Sequence, residues 1–407
     1  MLTSIKSQAE YLMQGTRYGD EALQASMQNE LHQRLQQAQA DGRPLKVYCG
    51  FDPRTSDLHL GHTVVMRKLV QFQELGHAVT FVVGNYTSQI GDPSDKDKLR
   101  PVLTAEQVQK NARTYAEQAF KILDPEKTSI RYNADWLAQL SFSDLIKLAS
   151  NFTLQQFMTR ENFRLRWDKG DPIFVHEMFY ALMQGYDAYT LEADVQVGGS
   201  DQLFNIVTAS RKLMAFLGAK PNIAIIMGIL PGTDGVVKMS KSLGNNIALL
   251  ATPEDMYGKI MSIPDKALLP YFQLVSQAKP EEIQAVRTEL KSGALHPRDA
   301  KMKLARELVC IYHGQTAATK AQDHFVRVFQ KRSAPDNVAV HICAQGTKIV
   351  AILKDSRLSA SKSEARRLID QGAVRYNGQK IDNPDQAVSA PGMLQAGKRR
   401  FVRLLLR

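Results

Sequence analysis

Apolar and polar positions along residues 40–245 predict strands and helices in alternation. Short apolar or β-branched runs indicate five buried strands, at residues 46–51, 78–83, 129–132, 194–198 and 223–227. Apolar residues at helical spacing between these runs predict helices over residues 64–75, 104–123, 142–184 and 201–217. Alternating β and α units are typical of a mostly parallel sheet with helices on both faces, so we expect an α/β fold.

The pattern changes after residue 245. Helical spacing predominates from Thr252 to about Gln330, with breaks near Pro264, Pro280 and Pro297. Residues 331–336 combine charge, serine and proline, which is typical of a linker. We therefore expect a separate, all-helical region after the α/β part, followed by a connection.

A small module is predicted beyond the linker. A Ser361…Glu364 capping box predicts a helix over residues 361–369, and an Asn-Gly pair at 377–378 predicts the turn of a hairpin within residues 371–381. The expected segments are an α/β domain at 1–245, with an N-terminal helical segment and an inserted helical region at about 140–190, an α-helical domain at 246–330, a linker at 331–346 and a small α+β domain at 347–407.

Composition narrows the class of protein. A chain of 407 residues is long for a single core, and 44% hydrophobic with 23% charged residues is ordinary for a globular protein. No apolar run approaches the ~20 residues of a membrane span, and the polar first ten residues lack the pattern of a signal peptide. Cys49, Cys310 and Cys343 are too few and too scattered for a disulfide framework or a zinc cluster. We expect a cytoplasmic protein without a metal site of its own.

The positive charge is concentrated near the C-terminus. The whole chain carries a net +11, and residues 347–407 hold 13 Lys and Arg against 5 Asp and Glu, a net +8. A short basic module behind a nearly neutral body favours a polyanionic partner.

Two short motifs suggest nucleotide chemistry. Residues 59–62, His-Leu-Gly-His, follow the first predicted strand and open a helix, and residues 238–242, Lys-Met-Ser-Lys-Ser, lie between Gly235 and Gly244. A helix N-terminus offers unpaired N–H groups to phosphate, and lysines neutralise the charge that develops as pyrophosphate departs. The pair of motifs predicts a site for a nucleoside triphosphate.

Other polar clusters follow the predicted strands. Tyr48, Gly50 and Asp52 surround the end of the first strand, residues 91–94 follow the second, and residues 198–202 follow the fourth. Ligands of open α/β sheets bind at the carboxyl ends of the strands. We therefore expect these clusters to meet at one site.

Together these motifs resemble those of the bacterial tyrosyl-tRNA synthetases, which are class I aminoacyl-tRNA synthetases. Six segments carry the resemblance, in that family's order: residues 48–53, 57–62, 90–94, 180–187, 196–202 and 238–242. The resemblance covers most of residues 45–245 and implies a Rossmann-type catalytic domain. It further implies that tyrosine and ATP condense to tyrosyl-adenylate and pyrophosphate, and that tyrosine is then transferred to the 3′ end of its tRNA. Positioning and charge stabilisation would drive such an in-line displacement.

The resemblance assigns the tyrosine-binding residues. Tyr48 and Asp187 match the pair that holds the substrate phenol, a group that both donates and accepts hydrogen bonds. The match to the shell around the α-ammonium comprises Asp92, Tyr180 and Gln184. Gln202 matches a contact to the carboxyl end of the substrate.

The resemblance also assigns the ATP-binding residues. Glycine at positions 50 and 61 lets the backbone approach the nucleotide closely. The two histidines of the first motif would bind phosphate, and basic residues would hold the pyrophosphate. The full set is Gly50, Asp52, His59, Gly61, His62, Lys96, Arg100, Gly199, Asp201, Lys238, Ser240, Lys241 and Ser242. Within it, Asp201 and Gly199 match contacts to the ribose, and Mg²⁺ would arrive with ATP. The charged run that contains Lys96 and Arg100 is also typical of a solvated face.

Two positions depart from the family pattern. Arg54 stands where many members have threonine, with Thr55 next, and the Gly-Gly-Ser-Asp-Gln run continues as Leu203-Phe204-Asn205 rather than in a tryptophan-containing form. An arginine could serve phosphate in place of the hydroxyl. We interpret both as features of a second subgroup of these enzymes.

The basic module resembles an S4 RNA-binding domain over roughly residues 350–407. The resemblance implies phosphate contacts from six side chains: Arg357, Lys362, Arg366, Arg367, Arg375 and Lys380. The partners implied are tRNA(Tyr), tyrosine, ATP and, because the family is homodimeric, a second copy of the chain.

Three alternatives remain open at the level of sequence. A tryptophanyl-tRNA synthetase would share the fold, although Asp187 opposite Tyr48 favours a phenol over an indole. A small-molecule adenylyltransferase could use the His-Leu-Gly-His motif without RNA, which the S4-like segment disfavours. An RNA-binding protein without catalysis would be expected to have lost the catalytic groups.

Overall fold

The computed structural model describes residues 4–53, 57–93, 104–330, 338–397 and 400–407. Lys96, Arg100 and Arg54 lie outside the described residues, as do residues 331–337 of the predicted linker. The chain divides into two compact units, Met1–Ala318 and Thr319–Arg407. The finer division into four segments stays a prediction.

The first unit is built on a five-stranded parallel sheet. Its strands are β1 (Lys46–Phe51), β2 (Ala78–Val83), β3 (Thr128–Tyr132), β4 (Val195–Gly199) and β5 (Ile223–Met227). They pair in the order β3-β2-β1-β4-β5, every neighbour parallel. The α/β expectation is therefore confirmed. Because chain order reverses between β1 and β4, the crevice at their carboxyl ends is where an α/β sheet binds ligands.

Fifteen helices belong to this part of the described chain. They are α1 (Ile5–Met13), α2 (Glu21–Ala40), α3 (Leu60–Glu74), α4 (Ala105–Ala119), α5 (Ala134–Leu137), α6 (Phe142–Ala149), α7 (Leu154–Met158), α8 (Glu161–Lys169), α9 (Val175–Thr190), α10 (Arg211–Phe216), α11 (Pro253–Ser262), α12 (Leu268–Val275), α13 (Pro280–Ser292), α14 (Pro297–His313) and α15 (Gln315–Phe325), the last of which crosses into the second unit.

The helical region predicted at 142–184 consists of four separate helices, α6 to α9. Ser141 and Thr153 each accept a hydrogen bond from the first turn of the helix that follows, so each starts a new helix. Gly170, with φ of 73°, ends α8 in the left-handed conformation. Similarly, the helix predicted over 201–217 divides into a 3₁₀ turn (Ser200–Gln202), a π-helix (Phe204–Ser210) and α10.

Prolines mark the helix boundaries after residue 245. Pro253, Pro280 and Pro297 occupy the first turns of α11, α13 and α14, where a missing N–H costs no hydrogen bond. The predicted breaks at Pro280 and Pro297 are confirmed. Within the described parts of the chain, no helix has the length and apolarity needed to cross a membrane.

Beyond residue 337, the described part of the second unit contains a small sheet and two helices. Its elements are β6 (Val340–Cys343), α16 (Ile349–Asp355), α17 (Lys362–Asp370), β7 (Val374–Tyr376), β8 (Gln379–Lys380), β9 (Gly392–Ala396) and β10 (Arg400–Leu406), with sheet order β6-β10-β9-β7-β8. The hairpin is confirmed, since Asn377 and Gly378 both have positive φ, 49° and 81°.

Two details of the second unit differ from expectation. Residues 340–343, which the sequence placed in the linker, form β6 and pair in parallel with β10. A four-residue run is too short to stand out by pattern, and its partner lies 63 residues further on. In addition, Ser361 caps the Glu364 N–H, but the Glu364 carboxylate accepts from Ala360 rather than closing a capping box on Ser361.

Candidate active site

A cavity of about 850 Å³ opens at the carboxyl ends of the strands. Its wall includes every described residue predicted to bind tyrosine or ATP: Tyr48, Gly50, Asp52, His59, Gly61, His62, Asp92, Tyr180, Gln184, Asp187, Gly199, Asp201, Gln202, Lys238, Ser240, Lys241 and Ser242. Sequence segments up to 195 positions apart are thus brought to one surface.

A buried carboxyl group occupies one wall of the cavity. Asp187 on α9 is 3% exposed, and burial raises its pKa from 3.8 to about 7 against the opposing effect of its hydrogen bonds. Its Oδ1 accepts from Trp136 Nε1 at 2.7 Å and its Oδ2 accepts from Asn133 Nδ2 at 3.2 Å. Near neutral pH this group can therefore accept from, or donate to, a polar atom of a ligand.

Tyr48 lies in the same hydrophobic cluster as Trp136. Its hydroxyl donates to the Gln184 carbonyl at 3.3 Å, and burial together with the Asp187 charge raises its pKa well above the usual range. The Tyr48 hydroxyl thus has a protein partner of its own, which the sequence did not indicate.

Asn133 and Trp136 were missed by sequence reasoning. Asn133 directly follows β3, at the carboxyl end of a strand, in the same way as the polar residues that were singled out. Position at a strand end was the signal that could have found Asn133. Trp136 carried no comparable signal, since one turn of helix separates it from the strand.

Besides Asp187, the cavity wall carries the carboxylates of Asp52, Asp92 and Asp201. Asp52 accepts from the Tyr180 hydroxyl at 3.1 Å and from Thr87 Oγ1 at 2.7 Å. The sequence grouped Asp52 with ATP contacts, yet its described partner Tyr180 belongs to the tyrosine set. Burial and the Asp52 charge raise the pKa of Tyr180 well above its usual range, so this hydroxyl stays protonated.

Asp92 is held by two side chains. Gln202 donates to one of its oxygens, and Arg160 Nη2 lies 3.4 Å from the other. The Arg160 guanidinium is buried and packs over the rings of Phe163 and Phe204. Arg160 was also missed, because nothing in its local sequence distinguishes it. Together with Asp52, Asp92 supplies carboxylate oxygens on the cavity wall that can accept hydrogen bonds from a cation such as an ammonium group.

The two histidines cap the helix that they open. His59 Nδ1 accepts from the Gly61 N–H at 3.1 Å, and His62 Nδ1 accepts from the His59 N–H at 3.2 Å. A ring nitrogen that accepts a hydrogen bond carries no proton, so in each neutral ring the proton lies on Nε2 and makes that nitrogen a donor. A Cβ on Gly61 would lie 2.9 Å from the His59 ring, so glycine makes room for the cap.

The basic loop, residues 232–245, faces the histidines and is held by ion pairs. Lys238 Nζ lies 3.0 Å from Asp201 Oδ2, and Lys241 Nζ lies 2.7 Å from Asp57 Oδ2. Directly after the loop, the Ile247 carbonyl accepts from the Leu60 N–H at 3.0 Å. The two motifs are therefore joined by both backbone and side-chain contacts.

The predicted RNA-binding residues of the second unit fall into two groups. Arg357, Lys362, Arg366 and Arg367 are exposed. The two hairpin residues have local partners: Arg375 donates to the Gly378 carbonyl at 3.0 Å, and Lys380 Nζ lies 2.8 Å from Asp382. The first four have cationic heads available to a polyanion, whereas Arg375 and Lys380, the second of which is exposed as well, would first exchange partners.

Comparison with known families gives two matches. The family described as tRNA synthetases class I (W and Y) matches residues 40–330, and the S4 domain matches residues 347–394.

Curated relatives match along nearly the whole chain. The tyrosine–tRNA ligase of Moorella thermoacetica is 47% identical over 380 residues, covering 93% of this chain and 92% of the relative. That of Thermotoga maritima is 46% identical, covering 88% and 90%. Among solved structures, a truncated mitochondrial tyrosyl-tRNA synthetase of Aspergillus nidulans has a TM-score of 0.62 at 22% identity, covering 81% of this chain and 94% of that one. The enzyme of Archaeoglobus fulgidus complexed with L-tyrosine has a TM-score of 0.61 at 22% identity, covering 78% and 100%. At that level of identity the structures support the fold alone.

Proposed function

Because the chain belongs to the class I tRNA synthetases of the tryptophan and tyrosine family, we propose that it acts as a tyrosine–tRNA ligase. In the first step a carboxylate oxygen of tyrosine attacks the α-phosphate of ATP, and pyrophosphate leaves as the bridging P–O bond breaks. In the second step a hydroxyl of the 3′-terminal ribose of tRNA(Tyr) attacks the carbonyl carbon, and AMP leaves. The observation that carries the proposal is the buried Asp187 carboxyl group on the cavity wall. It is found in a chain whose curated relatives are tyrosine–tRNA ligases.

The tyrosine would lie with its phenol towards Asp187 and Tyr48. A phenol hydroxyl can donate to one and accept from the other, which an apolar ring could not do. The α-ammonium would then meet the Asp92 carboxylate, with Tyr180 and Gln184 also around it, and Gln202 would contact the carboxyl end. The carboxylates and hydrogen-bonding groups on the cavity wall support this orientation.

ATP would occupy the side of the cavity that carries the two histidines and the basic loop. The Nε2 donors of His59 and His62 and the ammonium groups of Lys238 and Lys241 would bind the phosphates, with Ser240 and Ser242 in the same loop and Gly50 near the nucleotide. Asp201 and Gly199 would hold the ribose, and Mg²⁺ would enter on the phosphate oxygens of ATP. Lys96 and Arg100 remain predicted pyrophosphate contacts.

The tRNA would be bound in part by the S4 segment, whose exposed cations can neutralise phosphates. A cytoplasmic location fits such a role in protein synthesis.

A second copy of the chain is a further proposed partner. Large apolar side chains are exposed on consecutive elements α6 to α9, led by Phe142 at 78%, Val175 at 69% and Trp167 at 66%. Exposed groups of this kind are typical of interaction sites. Sedimentation should give twice the 45.5 kDa chain mass, and a monomer at micromolar concentration would contradict the proposal.

Amino-acid-dependent ATP–pyrophosphate exchange tests the function. With each of the twenty amino acids in turn, tyrosine should give the fastest exchange, and omission of the amino acid is the control. Faster exchange with tryptophan would favour the other member of the family. Exchange with none would point to an RNA-binding role without catalysis.

A further inference from the structure

The basic loop, residues 232–245, is closed at its base by backbone hydrogen bonds. The Gly232 N–H donates to the Val237 carbonyl at 2.7 Å, and just beyond it the Met239 N–H donates to the Leu230 carbonyl at 3.0 Å. These bonds fix the first arm of the loop, which leads to Lys238. They do not by themselves hold the second arm, which carries Ser240 and Lys241.

Asn245 joins the two arms. Asn245 is buried, 7% exposed, although it belongs to a surface loop. The Oδ1 atom accepts from the Ser240 N–H at 2.8 Å, while Nδ2 donates to the Lys238 carbonyl at 3.2 Å and to Asp234 Oδ2 at 2.5 Å. Its own carbonyl accepts from the Thr233 N–H at 2.9 Å. One amide therefore contacts both ends of the Lys-Met-Ser segment.

Asp234 completes the arrangement from the first arm. Its Oδ1 accepts from the Val236 and Val237 N–H groups, each at 2.7 Å, in the way that aspartate side chains stabilise turns. Its hydrogen bonds, that from Asn245 foremost, lower its pKa and keep the carboxylate ionised. Gly232 leaves the space that Asn245 needs, because a Cβ there would lie 2.2 Å from Nδ2.

We propose that Asn245, with Asp234 as its partner, is a positioning residue that sets the shape of the basic loop and so places Lys238. An amide supplies a donor and an acceptor at once, which the Lys238 carbonyl, Asp234 carboxylate and Ser240 N–H together require. A carboxylate at this position would lose the donor and face Asp234 as a like charge. An alanine would lose all three side-chain bonds.

The link to chemistry rests on the proposed function. Lysines that stabilise departing pyrophosphate act only when their ammonium groups stand where charge develops, and displacement by about 1 Å can cost roughly a hundredfold in rate. Asn245 reaches Lys238 through its backbone carbonyl, so it would affect the rate of adenylate formation without touching tyrosine.

Hydrogen–deuterium exchange of the basic loop tests the positioning role without any assay of activity. In Asn245→Ala the Ser240 amide should exchange at least about tenfold faster, and in Asp234→Ala the Val236 and Val237 amides should do so. Val236→Ala, an exposed substitution in the same loop, is the matched control and should leave Ser240 protected. Unchanged exchange of Ser240 in Asn245→Ala would overturn the proposal.

Rapid measurement of adenylate formation tests the functional link. Asn245→Ala should slow this step at least about tenfold while the tyrosine dissociation constant stays within about twofold. Asn245→Asp should also be slow, and the Asp234→Asn/Asn245→Asp double variant should recover part of the rate, because it restores one donor–acceptor pair. An equal loss of tyrosine affinity and rate, or a double variant slower than both single variants, would contradict the role.

The two proposals fail in different ways. If the wild-type protein does not activate tyrosine, the proposed function fails, and exchange at Ser240 still decides whether Asn245 holds the loop. If Asn245→Ala does not fold, the Asn245→Asp variant and its double variant decide the matter.

Discussion

At the scale of single residues, Asp187 makes the stability of the protein depend on pH. Its pKa is about 7 in the folded state and 3.8 without burial, so between these values the folded chain holds a proton that the unfolded chain has lost. The free energy of unfolding therefore falls as pH rises through this window. Between pH 5 and pH 8 the wild type should lose roughly 2 to 3 kcal/mol relative to Asp187→Asn. Urea unfolding of both proteins at the two pH values measures the difference, and parallel pH profiles would show that Asp187 is ionised throughout.

Asp187 should also decide which ring is accepted. In Asp187→Ala the preference for tyrosine over phenylalanine, measured as a ratio of kcat/KM in pyrophosphate exchange, should fall at least about tenfold, since a buried hydroxyl would lose its partner. Tyr48→Phe should cost less, because the Tyr48 hydroxyl already donates to the Gln184 carbonyl. A larger loss of preference in Tyr48→Phe than in Asp187→Ala would reverse the proposed roles.

At the scale of elements, α17 should contribute more to RNA affinity than the hairpin. Arg366 and Arg367 are exposed on α17, whereas Arg375 is half-buried and bonded to the Gly378 carbonyl. Replacing both α17 arginines by glutamine should weaken tRNA binding and reduce the slope of log affinity against log salt by about two. Arg375→Gln is the matched control and should change the slope by less than one. Filter binding over a range of salt concentrations gives the slopes, and equal slopes in all three proteins would remove α17 from the interface.

Elements with a local signal were predictable. All five strands of the first sheet were found because each is a short apolar run between polar turns, and the hairpin was found because Asn-Gly favours positive φ at both positions. The breaks within residues 142–184 were missed, since the caps Ser141 and Thr153 lie among residues that keep helical spacing. The short strand β6 was missed because the strand with which it pairs in the described part of the chain, β10, lies 63 residues further on.

The site was predictable where motifs follow strands and unpredictable where contact depends on the fold. Asp187, His62 and Lys238 belong to motifs with a recognisable order. Arg160 and Trp136 act only through residues 68 and 51 positions away, and no sequence pattern records such a pairing. Lys96 and Arg100 lie outside the described residues, so their assignment stays a prediction.

At the scale of the whole molecule, the two reactions should separate with the two ends of the chain. Residues 347–407 carry +8 of the net +11, while the cavity residues all precede residue 245. A truncation ending near Pro335 should keep tyrosine-dependent pyrophosphate exchange within a few-fold and lose most tRNA charging. The matched control is the full-length chain at equal concentration, assayed for both reactions. Undiminished charging by the truncated protein would mean that the basic module serves another purpose.

The ion pairs of the basic loop have a consequence for turnover. Lys238 and Lys241 form ion pairs with the carboxylates of Asp201 and Asp57. If they serve phosphate as proposed, each lysine exchanges one anion for another, so a part of the affinity for phosphate is offset by the ion pair that is lost. The exchange would be reversed when pyrophosphate leaves, because the ammonium groups would form their ion pairs with the two aspartates again. A site with such competing carboxylates would bind a triphosphate less tightly than its number of cations suggests, and it would release its polyanionic product sooner.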